Sequence, residues 1–405
     1  MDKFDISILI TTYNRSKYLK HLLENIKDGV SDLDFNFEIL ISNNGSNDDT
    51  CSVVDSFKKE FDFTYFIQES NIGAENNLNF LINKAKGEYF IYLADDDLLD
   101  FELLNLAIEK IYSKSNVIAL YSPWQVWDYK SKKSLALFYE APEALIEMNN
   151  FKELGRFIIN NKVFAEIGIF KTNVYKKMLP FYLENLFFAF KYPFEFITQG
   201  DIFFVNTPYY KTVVRYDIDP TTKLREQDGF MQTKTIYHKY RNSLFHIMRL
   251  MQLSQDDRKV LKQKIDEFMY QRLGVALDLS FRDREFIQAF ELASIIIGEY
   301  GELNYKIKFE DIVEFAKLAY IQKMINDNNI KKLVIVNSTD IDSNIQKFKS
   351  FFQNDELEIY ENEKFNEDVK CLYYLLNQPD EIAINNFKRA NSLLVHESVL
   401  KNKFI

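Results

Sequence analysis

Glycine is scarce in this chain of 405 residues, which has 11 of them. Nucleotide-binding loops use glycine where the backbone must approach phosphate or adopt positive φ, so the spacing of the glycines is informative. No GxGxxG, GxxxxGK[ST] or GxSxG sequence occurs. The sequence therefore argues against dinucleotide oxidoreductases, P-loop NTPases and hydrolases with a nucleophile elbow.

Cysteine and histidine are scarcer still, with 2 Cys and 4 His. Cys51 and Cys371 are far apart in the sequence. This separation argues against a disulfide scaffold or a cysteine-based zinc site, and it fits a reducing compartment. The histidines show no HExxH spacing, so a zincin-type metal site is not expected either.

The chain also lacks long apolar runs and an excess of positive charge. No apolar run approaches the ~18 residues of a membrane-spanning helix, and the first residues lack the layout of a signal peptide. Lys and Arg number 50 against 60 Asp and Glu, which gives a net charge of -10. Nucleic-acid surfaces depend on clustered Lys and Arg, so we expect no nucleic-acid partner. We expect a cytoplasmic protein, and peripheral contact with the inner face of the plasma membrane stays open.

The first 122 residues alternate short apolar runs with amphipathic stretches, the pattern of βα units on a mainly parallel sheet. The predicted strands are Ile6–Thr11, Phe37–Ile41, Thr64–Ile67 and Tyr89–Leu93. Polar segments lie where three of these strands end: Thr11–Arg15, Asn43–Ser46 and Asp95–Asp97. Ligands of such sheets bind beyond the carboxyl ends of the strands, so we expect the three segments to converge on one crevice.

The remaining sequence predicts two further parts. Residues 211–249 contain eight Lys/Arg and four Asp/Glu, a local net charge of +4. Helical periodicity dominates from residue 256 to 326, and a smaller strand and helix alternation follows. We therefore predict an α/β fold: a domain at 1–254 with a mixed, mainly parallel sheet flanked by helices, a helical region at 255–330, and a small α/β lobe at 331–405.

Three consecutive aspartates follow the fourth predicted strand. Like charges this close raise one another's pKa unless a cation neutralises them. Oxygen ligands without Cys or His suit Mg²⁺ or Mn²⁺, which take one or two carboxylates plus the phosphates of a substrate. The alternative is that Asp95–Asp97 caps a helix beginning near Leu98.

Four segments together resemble the family-two glycosyltransferases of the GT-A fold, in the order and spacing of that family. They are Ile8–Arg15 (ILITTYNR), Glu38–Thr50 (EILISNNGSNDDT), Asn71–Ala74 (NIGA) and Lys86–Asp97 (KGEYFIYLADDD). The resemblance covers roughly the first 125 residues. It implies an inverting transferase that uses a nucleotide-diphosphate sugar and a divalent metal, Mn²⁺ or Mg²⁺.

The resemblance also implies roles for individual residues. Substrate binding falls to Thr11, Tyr13, Arg15, Asn43 and Asp95, and metal binding to Asp96 and Asp97. Asn43 matches the position that contacts the base, and Asp95 the one that faces the ribose. The chain departs from the family pattern at Ala94, where the first acid of the metal motif is usual, and at Asn43-Asn44, where acids are usual. A UDP-sugar remains the first expectation for the donor, although an amide at Asn43 weakens that preference.

An inverting transfer needs a general base for the acceptor hydroxyl. The family places an acid 80–110 residues after the metal motif, which corresponds to Glu184 here. Glu195 is the next candidate and Asp201 the third. Arg215, Lys223 and Arg225 in the basic stretch are candidates for stabilising the leaving diphosphate.

Two functions follow from these observations. The first is a glycosyltransferase that moves a sugar to a hydroxyl of a bacterial surface glycan, such as a capsule, a lipooligosaccharide or a related polysaccharide. Its acceptor would be a glycan or a lipid-linked glycan. The second is a non-catalytic subunit that binds nucleotide sugars or serves as a scaffold in glycan assembly. Whether the chain forms a homo-oligomer, and what residues 331–405 do, the sequence leaves open.

Overall fold

A computed structural model describes most of the chain. It covers residues 4–179, 185–215, 236–336, 341–352, 357–361, 371–375 and 393–404. Within it the chain forms two compact units, which divide between Met269 and Tyr270. The three-part domain division with boundaries at 254 and 330 stays a prediction.

The first unit combines strands and helices in alternation. Its strands are β1 (Ile6–Thr12), β2 (Phe37–Asn43), β3 (Thr64–Ile67), β4 (Tyr89–Ala94), β5 (Leu98–Leu99), β6 (Val117–Tyr121), β7 (Gln125–Asp128), β8 (Lys133–Leu137), β9 (Ala144–Ile146), β10 (Gly168–Lys171), β11 (Asp201–Phe204) and β12 (Tyr210–Arg215). Its helices are α1 (Ser16–Gly29), α2 (Thr50–Phe57), α3 (Ala74–Lys84), α4 (Phe101–Tyr112), α5 (Phe151–Asn160), α6 (Thr172–Met178), α7 (Phe188–Phe196) and α8 (Tyr237–Leu250), with a 3-10 turn at Val30–Asp32. Helix α9 (Gln255–Arg282) begins in the first unit and ends in the second.

The main sheet has the order β3-β2-β1-β4-β10-β6-β11-β9 in the described part of the chain. Strands β3, β2, β1 and β4 pair in parallel, as do β6 and β11, whereas β10 and β9 run antiparallel to their neighbours. The predicted mixed, mainly parallel sheet flanked by helices is therefore confirmed. The four strands predicted in the first 95 residues agree with the observed ones to within two residues.

Alternate residues of β1 explain how helices cover both faces of this sheet. Ile8 and Ile10 pack in the cluster that contains Leu22 and Ile26 of α1. Leu9 points to the other face, in a cluster with Leu81 of α3. Successive side chains of a strand point to opposite faces, so a continuous apolar run suits a strand covered on both sides. The ends of the strands remain available for polar segments.

A second, smaller sheet lies beside the carboxyl end of β4, with the order β5-β12-β7-β8 among the described residues. Its strands are two to six residues long, and β5 contributes only Leu98 and Leu99. The sequence analysis missed this sheet because β5 has only two residues and the other three strands mix polar or charged residues with apolar ones, so none forms an unbroken apolar run.

The second unit contains the remaining helices and a parallel sheet. Its elements are α10 (Phe286–Tyr300), α11 (Phe309–Asp327), β13 (Lys332–Val336), α12 (Ile341–Phe352), β14 (Glu358–Glu361), β15 (Cys371–Leu375), β16 (Leu393–His396) and α13 (Glu397–Lys403). The sheet order is β14-β13-β15-β16 and all three pairings are parallel. None of the helices in the described residues is both long and apolar enough to cross a membrane.

Candidate active site

The register of the central strands brings the polar segments together. Thr12 at the end of β1 pairs with Asn43 at the end of β2, and Thr11 pairs with Ala94 at the end of β4. The aspartate triplet begins one residue after Ala94. Three strand ends and the loops that follow them therefore meet at one edge of the sheet, as the sequence predicted.

Reciprocal hydrogen bonds join the loop after β1 to the loop after β2. Asn14 has a positive φ of 52°, and its backbone N–H donates to Ser46 Oγ over 2.9 Å. In return, Asn14 Oδ1 accepts from the Asn47 N–H over 2.9 Å. The Ser16 N–H donates to Asp48 Oδ2 over 3.0 Å, where α1 begins. We call Asn14, Ser16, Ser46, Asn47 and Asp48 the loop clasp, because they hold the two loops in a fixed relation.

Asn43 and Asn44 shape the turn that ends β2. Asn43 is fully buried; its Oδ1 accepts from the Ser46 N–H over 2.8 Å and its Nδ2 donates to the Tyr65 hydroxyl over 2.9 Å. Asn44 Oδ1 accepts from the Ile72 N–H over 2.9 Å. Both amides therefore already bond within the protein. Contact between Asn43 and a nucleotide base stays a prediction.

Asp95 and Asp96 are held by a cation. Arg15 Nη1 donates to Asp96 Oδ2 over 2.6 Å and to Asp95 Oδ1 over 3.3 Å. The two carboxylate side chains are 6% and 1% exposed, whereas that of Arg15 is 36% exposed. Burying two adjacent carboxylates is costly without a positive partner, and the guanidinium supplies it.

Asp97 has a different environment from the two acids before it. Its Oδ2 accepts from the Tyr210 hydroxyl over 2.9 Å and its Oδ1 from the Val213 N–H over 3.0 Å, both on β12. The hypothesis that the triplet caps a helix near Leu98 is wrong. Helix α4 begins at Phe101, and its cap is Asp100, which accepts from the Leu103 N–H over 3.2 Å. The two residues between form β5 instead, so the triplet is separated from the helix.

Tyr92 belongs to the site and was missed by the sequence analysis. Its hydroxyl and Thr11 Oγ1 are 3.3 Å apart, and the residue as a whole is 37% exposed although its neighbours on β4 are buried. Burial raises the pKa of the Tyr92 hydroxyl to about 12, with the carboxylates of Asp95–Asp97 adding to the shift. The phenol is therefore neutral at pH 7 and can donate a hydrogen bond. A tyrosine inside an apolar run, three residues before the triplet, is the signal that identifies it.

The predicted pocket residues Thr11 and Tyr13 lie at the same strand edge. Thr11 is half-buried and Tyr13 is 41% exposed. Two further apolar side chains beside this edge are exposed, Ile67 at the end of β3 and Ile72 in the turn that Asn44 holds. An apolar, aromatic surface next to polar loops is suited to a nucleoside.

The structure describes only some of the residues proposed as the general base or as partners of the leaving diphosphate. Glu184 lies outside the described residues, as do Lys223, Arg225 and the side chain of Arg215. Glu195 forms an ion pair with Lys191 on α7, four residues before it. Its role stays a prediction.

Asp201 does not lie near the triplet. It begins β11, and its Oδ1 accepts from Asn116 Nδ2 over 3.2 Å and from the Met148 N–H over 2.8 Å. Strands β4 and β6 both run antiparallel to β10, and β11 runs parallel to β6, so β4 and β11 have the same direction. The first residue of β11 therefore lies at the sheet edge opposite Asp95, which makes the third candidate wrong.

The donor set at the triplet fits a hard divalent cation only in part. In the described residues, no group of three or more His, Cys, Asp or Glu side chains is arranged to hold a metal. Asp95 and Asp96 supply carboxylate oxygens from two consecutive positions. Mg²⁺ and Mn²⁺ sites at nucleotides typically use one or two carboxylates, with phosphate and water completing the shell. The pair therefore fits a metal that arrives with a diphosphate.

Comparison with known proteins shows which family this part of the chain resembles. Residues 7–175 match the family model described as Glycosyl transferase family 2. A teichoic acid poly(glycerol phosphate) polymerase from Staphylococcus epidermidis is 22% identical over 354 residues, which are 85% of this chain and 44% of that protein. A GalNAc(5)-diNAcBac-PP-undecaprenol beta-1,3-glucosyltransferase from Campylobacter jejuni is 33% identical over 114 residues, 27% of this chain and 34% of that protein.

Among solved structures, one match covers about as much of this chain as the teichoic acid polymerase does. The crystal structure of S. aureus TarS 1-349 in complex with UDP-GlcNAc aligns with 86% of this chain and 90% of its own, at 15% identity and a TM-score of 0.46. The chain spans less than half the length of the two curated relatives.

Proposed function

We propose that this chain, which carries a family-two glycosyltransferase domain of GT-A fold in residues 7–175, transfers one sugar from a nucleotide-diphosphate sugar to a hydroxyl of a bacterial surface glycan. The observation that carries the proposal is the meeting of the Arg15–Asp95–Asp96 cluster with the clasped loops after β1 and β2. This edge of the sheet offers acids for a metal, an apolar surface for a nucleoside and a cation for phosphate.

The nucleoside of the donor is proposed to lie against Thr11 and Tyr13. Tyr13 is exposed and follows β1 directly, so its ring can contact a base without a change in the strand. The neutral Tyr92 hydroxyl beside Thr11 can donate to a donor oxygen. Asn43 stays in the proposal as a base contact, although its amide must give up a bond to Tyr65 or Ser46 to make one. A UDP-sugar is the first donor to test.

The metal is proposed to bind Asp96, with Asp95 facing the ribose. When bound, a divalent cation stabilises the negative charge that develops on the leaving diphosphate. Asp97 already accepts hydrogen bonds at both oxygens, so we assign to it the positioning of β12 next to the triplet. This revises the prediction that Asp97 binds the metal.

The acceptor hydroxyl loses its proton to a carboxylate base, for which Glu184 is the proposal and Glu195 the second choice. Attack on the face of the anomeric carbon opposite the diphosphate inverts the configuration. We propose a surface glycan as acceptor because one relative is named for teichoic acid and another for an undecaprenol-linked glycan.

A thermal-shift screen tests the donor. UDP-, GDP-, CDP- and dTDP-sugars are added with Mn²⁺, and a ligand that binds the folded chain raises the unfolding midpoint. We expect one nucleotide class to give a shift that Asp96→Ala removes and that Asp49→Ala, a change of an exposed acid outside the cluster, leaves in place. Absence of any shift with all four nucleotides contradicts the proposal.

A further inference from the structure

Arg15 lies where a metal ion would have to bind. Its guanidinium contacts Asp96 Oδ2 at 2.6 Å and Asp95 Oδ1 at 3.3 Å, and both carboxylates are almost fully buried. A divalent cation bound to the same oxygen would lie about 2.1 Å from it. The guanidinium and the metal would then be two like charges within a few ångströms, which repel in a poorly solvated site.

We propose that Arg15 is a displaceable counter-ion for the acid pair and competes with the divalent cation for Asp96. Without donor, Arg15 neutralises Asp95 and Asp96 and keeps metal affinity low. The nucleotide diphosphate brings further oxygen ligands and negative charge, so metal and nucleotide together displace the guanidinium. This inference rests on the proposed function, since it concerns the same metal site.

Displacement of Arg15 by a metal requires that either the guanidinium or the two carboxylates can move. Asp95 and Asp96 follow the central strand β4, whose register with β1 holds their backbone in place. Arg15 precedes α1, and its long side chain is 36% exposed, so the guanidinium can rotate away without moving the helix. A displaced guanidinium suits phosphate oxygens, which it binds in a bidentate manner. The counter-ion is then the movable partner.

Direct metal binding tests the competition without a measurement of turnover. The full chain is titrated with Mn²⁺ alone and with Mn²⁺ plus UDP, and the free ion is counted by electron paramagnetic resonance. We expect Arg15→Gln to bind Mn²⁺ alone roughly tenfold more tightly than wild type, because the competing charge is gone. UDP should therefore improve Mn²⁺ binding much less in the variant than in wild type.

A matched control removes a positive charge from α1, the helix that Arg15 precedes. Lys20 pairs with Glu24 at 4.0 Å and not with the triplet. Lys20→Gln therefore lowers the charge of α1 but leaves the contacts of Asp95 and Asp96 with Arg15 in place. We expect this variant to bind Mn²⁺ as wild type does. Arg15→Lys keeps a cation but loses the fork geometry, and we expect an intermediate gain. It also serves if the Gln variant does not fold.

The outcomes separate this inference from the proposed function. Equal Mn²⁺ affinity of wild type and both Arg15 variants, together with loss of binding in Asp96→Ala, overturns the competition and leaves the metal site in place. No Mn²⁺ binding by any variant, with or without UDP, overturns the metal site itself, and the inference fails with it. A gain that Lys20→Gln shares would be a general charge effect and also contradicts the competition.

Discussion

The hydroxyl of Tyr210 donates a hydrogen bond to Asp97 Oδ2 over 2.9 Å and accepts one from the Ala94 N–H over 3.1 Å. One side chain on β12 therefore bonds to both ends of the turn that contains the triplet. Tyr210 is 1% exposed, and burial raises its pKa well above the ordinary value, so the phenol stays protonated. By bonding to the residues on either side of them, Tyr210 holds Asp95 and Asp96 in position.

Tyr210→Phe should destabilise the first unit. The variant leaves the buried Asp97 carboxylate with one donor fewer and the Ala94 N–H without its acceptor, and a buried polar group that loses its partner costs about 1–3 kcal/mol. We expect a lower thermal unfolding midpoint and weaker donor binding in the thermal-shift screen. Unchanged stability would show that water replaces both bonds.

The neighbouring tyrosine offers a matched control for that change. Tyr209 is also fully buried, but its hydroxyl has no hydrogen-bond partner in the described residues. Tyr209→Phe removes the same atom without breaking a bond, so we expect unchanged or slightly higher stability. The difference between the two variants then measures the hydrogen bonds of Tyr210 alone.

Gly45→Ala should disrupt the turn after β2. Gly45 has a φ of +75°, and a Cβ there would lie 2.8 Å from the carbonyl carbon of Ser70 and 2.9 Å from its Cα. Backbone atoms cannot move aside as a flexible side chain would. We expect a loss of roughly 2 kcal/mol or more in the free energy of unfolding, from backbone strain and clash together, and reduced donor binding.

Gly274→Ala is the corresponding control. Gly274 lies inside α9, and among the described residues a Cβ there meets no atom within 4 Å beyond the backbone of its own helix. Alanine in a helix interior is favoured over glycine by about 1 kcal/mol, so this variant should be more stable than wild type. If both alanine variants were destabilised alike, the close approach of Gly45 to Ser70 would not explain the first result.

The apolar runs predicted β1, β2 and β4 because these strands are buried along most of their length, which requires apolar residues at nearly every position. The strand ends were predictable for the same reason, since polarity changes abruptly at Thr11, Asn43 and Asp95. The pairing of Arg15 with Asp96 was not predictable. It joins residues 81 positions apart, and its geometry depends on the register between β1 and β4. The role of Asp97 was not predictable because its partner Tyr210 lies 113 positions away, on a strand whose mixed polar and apolar sequence gives no unbroken apolar run.

Lys317→Met should strongly destabilise the second unit. Lys317 Nζ contacts Glu397 at 2.8 Å and also pairs with Glu314; the side chains of Lys317 and Glu397 are 6% and 11% exposed. Removing the lysine leaves a buried carboxylate without its cation, which typically costs about 3–5 kcal/mol. Lys323→Met breaks an exposed pair with Asp327 on the same helix, and we expect it to cost at most about 1 kcal/mol. Equal losses would contradict the importance of burial.

Asp48→Asn should change how the stability of the first unit depends on pH. Burial alone would raise the pKa of Asp48, but hydrogen bonds from Thr50 and Ser16 outweigh it and hold the pKa below the ordinary 3.8. A carboxyl whose pKa is lower in the folded state stabilises the fold above its unfolded pKa, and this contribution disappears as the pH falls through the folded value. We therefore expect Asp48→Asn to be less stable than wild type at pH 7, and the difference between the two proteins to shrink as the pH falls below 3.8. Unfolding midpoints measured between pH 3 and pH 7 test this expectation. Asp49→Asn is the control, because Asp49 makes no side-chain capping bond to α2. A constant difference between wild type and Asp48→Asn across the whole range would mean that the clasp depends on the shape of the side chain and not on its charge.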